Sequence, residues 1–256
     1  RKRQSPLPWR RDGAAFNEDF KPPVRRNRRF RVPPCILERS IDMTGVFDPI
    51  ADAYDGWYDS PEGRDIFHAE RECLRKLHSE FEGRWLEIGV GTGRFAAFLG
   101  VSEGLDPSPR MLEIAARRGI RTHRGSAENL PFEADSRDGV LMVVTLCFVD
   151  DARQALGECR RILRRGGFFL LGIVPADSPW GREYGDKASR GHPVYSAARI
   201  RTARETVELV EGARFSLVDS ASTLFWKPGE SPQGVLRIER GIVPEAGFLG
   251  LLFEAV

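Results

Sequence analysis

Three glycines alternate with other residues in Leu86-Glu87-Ile88-Gly89-Val90-Gly91-Thr92-Gly93-Arg94, and an acid, Asp106, ends the next apolar run. Glycines at a strand-to-helix turn let the backbone bend sharply and bring N–H groups against a ligand with no Cβ in the way. A carboxylate closing the following strand can accept two ribose hydroxyls. Its plainer role is to cap the helix beginning near Ser108, and the two roles are compatible. The chemistry offered is binding of a nucleoside-bearing ligand. The spacing is GxGxG, not the GxGxxG of the dinucleotide fingerprint, and no GxxxxGK[ST] phosphate loop is present.

The surrounding pattern supplies the elements that would hold these residues. Arg64–Ser79 places Ile66, Ala69, Cys73, Leu74 and Leu77 on one helical stripe. Trp85–Ile88 reads as a strand, Arg94–Leu99 as a short helix, and Leu105-Asp106 as the end of a second strand. Pro107–Arg118 predicts a helix that stops at Gly119, and Ile120–His123 a third strand. Gly139–Leu146 is a continuous apolar run, as expected of a strand buried on both faces. Asp150 or Asp151 then caps a helix carrying Ala155, Leu156, Cys159, Ile162 and Leu163 inward, stopped at Gly166-Gly167 before a strand over Phe168–Val174. Thr202–Glu211 looks helical, and Phe215–Phe225 and Gly247–Ala255 look like strands. Alternation of this kind implies an α/β fold with helices on both faces of a parallel sheet.

Charge divides the chain of 256 residues unevenly. Its net +2 combines a basic stretch, 1–42, with 12 Lys/Arg against 5 acids, and a mildly acidic remainder. That stretch carries six prolines and an Arg cluster at Arg25–Arg31, and it reads as a disordered tail. It is either a nucleic-acid arm or a solvated appendage; Met43-Thr44-Gly45 also reads as a translation start, which would make 1–42 no native segment. The compact domain is expected over 43–256. Cys35, Cys73, Cys147 and Cys159 show no CxxC spacing, so neither a zinc site nor a disulfide framework is suggested. No apolar run is long enough for a membrane-spanning helix. No secretory leader opens the sequence, and a cytoplasmic location is expected.

Taken together, these motifs resemble the class I S-adenosylmethionine-dependent methyltransferases, over the whole region from about Thr44 onward. Within that family the small-molecule branch that includes the ubiquinone/menaquinone-type enzymes is the most similar. The resemblance implies a Rossmann-like, doubly wound sheet of seven strands, mostly parallel with an antiparallel edge hairpin. It implies S-adenosyl-L-methionine as cofactor, S-adenosyl-L-homocysteine as product, and no metal. Glu87, Gly89, Gly91 and Gly93 would hold the methionine part, Asp106 the ribose. In Gly125-Ser126-Ala127-Glu128-Asn129-Leu130-Pro131-Phe132 the adenine side would fall to Ala127 and Glu128. Thr145 and Cys147 lie where the active-site motif follows the fourth strand.

In similar enzymes a segment such as Phe47–Tyr58 folds over the cofactor, which makes Tyr54, Trp57 and Tyr58 candidates for contact with cofactor or substrate. The alternative is a helix packed through Phe47, Tyr54 and Tyr58. Relatives use the insertion here at 175–201 as a substrate lid, so Arg182, Tyr184 and Tyr195 are lid candidates, against a reading as plain loop. Tyr54, Tyr58 and Cys147 are the catalytic candidates. Methyl transfer needs chiefly in-line orientation, and a base only where the nucleophile arrives protonated. The expected acceptor is a small molecule, its atom (N, O, S or C) and the oligomeric state being open. Three other functions compete: a nucleic-acid (RNA) methyltransferase using the basic tail, an NAD-type oxidoreductase, and a non-catalytic cofactor-binding protein. No Asn-Pro-Pro-Tyr-like motif follows the fourth strand, which disfavours the first, and the glycine spacing disfavours the second.

Overall fold

A computed structural model describes residues 46–77 and 82–256; the expected tail 1–42 and the Met43 start lie outside the described residues. A 3-10 turn, Asp48–Ile50, runs into α1 (Ala51–Trp57), followed by α2 (Pro61–Leu77). Ser60 Oγ accepts the Gly63 N–H at 3.1 Å, so α2 starts ahead of the expected Arg64. Then β1 (Trp85–Ile88), α3 (Arg94–Leu99), β2 (Glu103–Asp106), α4 (Pro109–Arg117) and β3 (Arg121–Arg124) alternate. They are followed by β4 (Arg137–Val143), α5 (Ala152–Ile162) and β5 (Leu163–Ile173). The segment expected as a lid carries α6 (Pro179–Ser189) and α7 (Pro193–Ser196), so it is largely helical. After it come α8 (Ala203–Glu211), β6 (Phe215–Thr223), β7 (Glu239–Arg240) and β8 (Phe248–Ala255).

The strands form one sheet in the order β3-β2-β1-β4-β5-β8-β6-β7. The neighbours from β3 to β5 pair in parallel, and β8 runs antiparallel to both β5 and β6. The fold is the expected α/β, doubly wound, Rossmann-like one, with the last two long strands paired antiparallel. The strand count is corrected from seven to eight. β7 has two residues, paired through Ala221↔Arg240 and Ser222↔Glu239, too few to leave an alternating pattern in the sequence. The α5–β5 boundary also moves. Leu163 ends the helix and pairs with Arg137, and Gly166, at φ 74°, sits within β5 beside a register shift between Arg137 and Gly139. Gly166-Gly167 is therefore a kink in a strand, not the stop of a helix.

The core fills both faces of the sheet. Leu86, Ile88, Val140 and Met142 pack with Ala155, Leu156, Cys159, Ile162 and Val210 of α5 and α8. Trp85, Leu141, Val143 and Leu170 pack on the other face with Ile66, Cys73 and Leu74 of α2 and Phe95 and Leu99 of α3. Strand alternation puts Glu87 on this second face, with Trp85. Each fully buried leucine or phenylalanine contributes roughly 1.5–3 kcal/mol, so the two layers carry the stability and the sheet's loop edge is free to hold strained or charged groups. None of the described helices is long and apolar enough to cross a membrane.

Candidate active site

The glycine turn at the end of β1 is fixed to β2 by backbone and side chain together. Gly89 N–H and Val90 N–H both donate to Leu105 O, at 2.7 and 3.0 Å, and Gly91 N–H donates to Asp106 Oδ2 at 2.9 Å. Gly89, Gly91 and Gly93 all have positive φ, at 70°, 51° and 80°. The space around them differs. A Cβ at Gly89 would collide with Thr145, whereas one at Gly91 would meet nothing within 4 Å. The turn is thus open on its Gly91 side.

Asp106 is 8% exposed, and its second oxygen, Oδ1, accepts the Ser108 N–H at 2.9 Å. Ser108, not Asp106, is the N-cap of α4, its Oγ accepting from Met111 N–H at 3.1 Å. Asp106 therefore braces the cap instead of forming it. Burial outweighs both N–H donors and pushes the Asp106 carboxyl up to about 6. A carboxylate has about four acceptor sites, and among the described residues donors fill two of them. Burial also drives Glu87 well above its usual range, against the pull of Ala96 N–H, and Glu87 Oε2 is buried with no hydrogen-bond partner among the described residues.

Over this edge lies α1, tied down by a set of ion pairs that the sequence reading passed over. Arg94 donates through Nε to Asp55 Oδ1 at 2.8 Å and through Nη2 to Asp59 Oδ2 at 3.0 Å. Arg118 joins Asp55 Oδ2 at 2.9 Å to the Thr92 carbonyl, also at 2.9 Å. Arg110 grips Asp52, and Asp48 Oδ1 accepts from Ser108 Oγ at 2.6 Å. Burial works to raise the Asp55 carboxyl, but the hydrogen bonds from Arg94 and Arg118 outweigh it and hold it below the usual value. The signal was present: Asp48, Asp52, Asp55 and Asp59 recur at helical spacing, on the face beside the aromatic stripe of Phe47, Tyr54 and Tyr58.

That aromatic stripe faces inward. Tyr54 and Tyr58 hydroxyls lie 3.1 Å apart, and Phe47 packs edge-on to Phe148 of the loop after β4 at 5.2 Å. Burial pushes Tyr54 up to about 12 and Tyr58 well above its usual value, with the charges of Glu70, Asp106 and Glu87 all acting on Tyr54. The helix reading of this segment holds over Ala51–Trp57, and the charges of the nearby carboxylates reach Tyr54. Trp57 stacks edge-on to Tyr58 at 5.0 Å, its Nε1 buried and unpartnered among the described residues. From the segment expected as a lid, Tyr184 and Tyr195 stack at 4.4 Å, both desolvated, and the charge of Glu70 reaches Tyr184. Arg182 stays exposed and donates to the Asp177 carbonyl, away from the tyrosines.

The loop after β4 is strained and well tethered. Val144 has φ 48°, an uncommon conformation for a β-branched residue. Next to it, Thr145 Oγ1 donates to Val143 O at 3.0 Å and packs against Gly89. Arg199 holds the loop through its N–H to Cys147 O at 2.7 Å and its Nη1 to Asp150 O at 2.8 Å. Glu128 Oε1 accepts the Asp150 N–H at 2.8 Å, tying the loop that carries Ala127 to the same place. Burial raises the Cys147 thiol to about 12, so it is a neutral thiol at neutral pH. Among the described residues no cluster of His, Cys, Asp or Glu is arranged to hold a metal ion.

Residues 86–171, which run from β1 to β5 through every loop just described, match a methyltransferase domain family. A crystallised protein of Thermotoga maritima, described as a SAM-dependent methyltransferase and possible histamine N-methyltransferase, is 37% identical. The similarity covers 84% of this chain and 100% of that one, with a TM-score of 0.77. The chain belongs to the S-adenosylmethionine-dependent methyltransferases. An uncharacterised protein of Mycobacterium tuberculosis is 42% identical over 201 residues, 78% of this methyltransferase and 70% of the relative. One from Methanocaldococcus jannaschii is 36% identical over 180 residues, 70% of this chain and 85% of its own.

The residues at the turn fit the family's cofactor. Gly91 leaves its side of the turn clear, and Asp106 keeps spare acceptor sites among the described residues. Two participants were missed in the sequence. Glu70, inside an apolar helical stripe, reads there as an interruption, and Arg94, directly after the last glycine, reads as an ordinary first helical residue.

Proposed function

We propose that this methyltransferase transfers a methyl group to a small-molecule acceptor enclosed between α1, α2 and the α6–α7 lid. The observation that carries the reading is the two tyrosine pairs that the N-terminal segment and the lid contribute: the Tyr54 and Tyr58 hydroxyls lie 3.1 Å apart, the Tyr184 and Tyr195 rings stack at 4.4 Å, and burial raises all four hydroxyls. Aromatic side chains brought from both segments suit contact with a compact acceptor. The description of the Thermotoga relative as a possible histamine N-methyltransferase supports a small acceptor here too.

In this reading the cofactor's ribose hydroxyls take the free acceptor sites of Asp106. Glu87, Gly89, Gly91, Gly93 and Thr145 border the methionine part, and Ala127 and Glu128 the adenine side. When bound, S-adenosylmethionine supplies an activated methyl carbon on a sulfonium. The chain then has to exclude water and hold the acceptor in line, an orientation effect that can reach roughly 7–11 kcal/mol. The tyrosine hydroxyls stay protonated at neutral pH, so Tyr54 and Tyr58 serve as donors and walls, and Cys147 as a neutral wall residue. Three unpaired cysteines, Cys73, Cys147 and Cys159, support a reducing compartment such as the cytoplasm.

Calorimetric titration of the full chain with S-adenosylmethionine, S-adenosylhomocysteine and NADH tests the reading. Micromolar binding of both adenosyl ligands with none of NADH is the expected result. Silence from the adenosyl pair would overturn it.

A further inference from the structure

Glu70 is 5% exposed, on the inward stripe of α2 between Ile66 and Leu74. Among the described residues it has neither a hydrogen bond nor an ion pair. Of the other buried charged groups, Asp106 is met by two backbone N–H groups and Arg137 by Glu103 at 3.2 Å, while Glu87 Oε2 also has no hydrogen-bond partner among the described residues. An unanswered buried carboxylate is expensive for a fold to keep. Burial alone pushes Glu70 up to about 8, with no basic side chain offsetting it.

Its surroundings indicate what would answer it. The charge of Glu70 acts on the hydroxyls of Tyr54 and Tyr58 from α1 and of Tyr184 from the lid. Glu87 and Asp106 act on Tyr54 from the glycine-turn side, so the neighbourhood is acidic from two directions. Aromatic faces with a desolvated carboxylate favour an organic cation over a neutral or anionic compound. The acids at the turn lie on the side proposed for the cofactor; Glu70, on α2, acts on Tyr184 of the segment proposed to cover the acceptor.

We propose that Glu70 anchors an acceptor subsite for a small ammonium compound, its carboxylate meeting the nitrogen and the rings of Tyr54, Tyr58 and Tyr184 walling the space around it. This rests on the small-molecule methyltransferase reading above. The ammonium gives one proton to the Glu70 carboxylate, leaving a neutral amine. The nitrogen lone pair then forms the N–CH3 bond while the C–S bonding pair withdraws onto sulfur. The product leaves as a methylated ammonium, and the Glu70 proton passes to solvent.

The test is calorimetry on the full chain saturated with S-adenosylhomocysteine, titrated at pH 8 with benzylamine, histamine and putrescine, and with benzyl alcohol as the neutral counterpart of benzylamine. At least one amine should bind, and benzylamine at least about tenfold more tightly than benzyl alcohol. Glu70→Gln should remove that preference while S-adenosylhomocysteine affinity changes by less than about twofold. Equal binding of benzylamine and benzyl alcohol, no binding of any of the three amines, or unchanged amine binding in Glu70→Gln would each overturn the proposal. So would a loss of S-adenosylhomocysteine affinity in that variant, which would move Glu70 to the cofactor. Failure of the unsubstituted chain to bind S-adenosylhomocysteine would instead sink the methyltransferase-site reading, and the subsite with it.

Discussion

Gly91 donates its backbone N–H to Asp106 Oδ2 at 2.9 Å, so the glycine turn and the end of β2 move as one unit. The same carboxylate holds Ser108 N–H through its other oxygen. The group proposed to meet the ribose is thereby also the group that shapes the turn. This coupling predicts that binding and local geometry titrate together.

Asp106 lies at about 6 in the ligand-free protein because burial disfavours its charge. Below that pH the protonated carboxyl loses acceptor capacity. S-adenosylhomocysteine should therefore bind about tenfold more weakly at pH 5 than at pH 7, and Asp106→Asn should bind weakly with a flattened profile. Calorimetry across pH 5–8 reads this directly; a flat profile in the unsubstituted chain would remove Asp106 from the site. Asp106→Ala should cost affinity by about 10–100-fold without unfolding the domain.

Gly89 and Gly91 should fail differently. At Gly89 an added methyl collides with Thr145, so Gly89→Ala should lower the melting temperature by several degrees, as overpacking costs about 1–3 kcal/mol. At Gly91 there is room but φ is 51°, so Gly91→Ala should cost only about 1 kcal/mol in stability while its methyl group stands in the open side of the turn and weakens adenosyl-ligand binding. Thermal melts and titrations of the pair separate these effects. Equal loss of binding with equal loss of stability in both would contradict the distinction.

Asp55 holds Arg94 and Arg118 together, and all three side chains are mostly buried. Asp55→Ala should cost about 1–3 kcal/mol, and amide hydrogen exchange in α1 should speed up. Because its folded carboxyl is held below the usual value, the stabilisation is present above about pH 4 and disappears as pH falls through the lowered value. The penalty of Asp55→Ala should therefore shrink in acid. A penalty independent of pH between 3 and 7 would argue that packing, not charge, holds the helix.

Glu70 carries the opposite sign. Its folded carboxyl is raised, so ionising it between about pH 4.5 and 8 costs stability that a neutral side chain would keep. Glu70→Gln should raise the melting temperature of the ligand-free protein at pH 8.5 and change it little at pH 5. The groups facing it, Tyr54, Tyr58 and Tyr184, with Cys73 one turn along α2, all titrate far higher and leave that window to Glu70. Paired melts at the two pH values check it; a variant less stable at both would point to a hydrogen bond that Glu70 supplies.

The glycine turn, Asp106 and the alternation of β1 to β5 were legible because their signals are local: a turn needing positive φ, a strand end, a capped helix. Asp151 caps α5 through Arg153 and Gln154 N–H, and Thr202 with Glu205 forms the capping box of α8, both within helix starts that the sequence marks. What depended on distant partners was not legible. Glu70 is buried only because α2 lies over the sheet, and β7 exists only because two residues find the edge of β6. Leu163 looked like the last residue of a helical stripe, and pairing with Arg137 made it the first of a strand. The acids at 48, 52, 55 and 59 were readable as a stripe, but their partners Arg94, Arg110 and Arg118 could be named only with the fold in hand.

β8 follows the other described strands in the chain, yet it lies between β5 and β6 and is buried along nearly its whole length. Until it leaves the ribosome, β5 has an open apolar edge where β8 will dock, and β6 has no neighbour joining it to the rest of the sheet. An open edge of that kind is adhesive toward other chains. Synthesis thus passes through a stage in which the half carrying the glycine turn is complete but its exposed flank is sticky. Pausing or premature termination before Phe248 would release an aggregation-prone intermediate, and the protein's need for chaperones should be greatest in that interval.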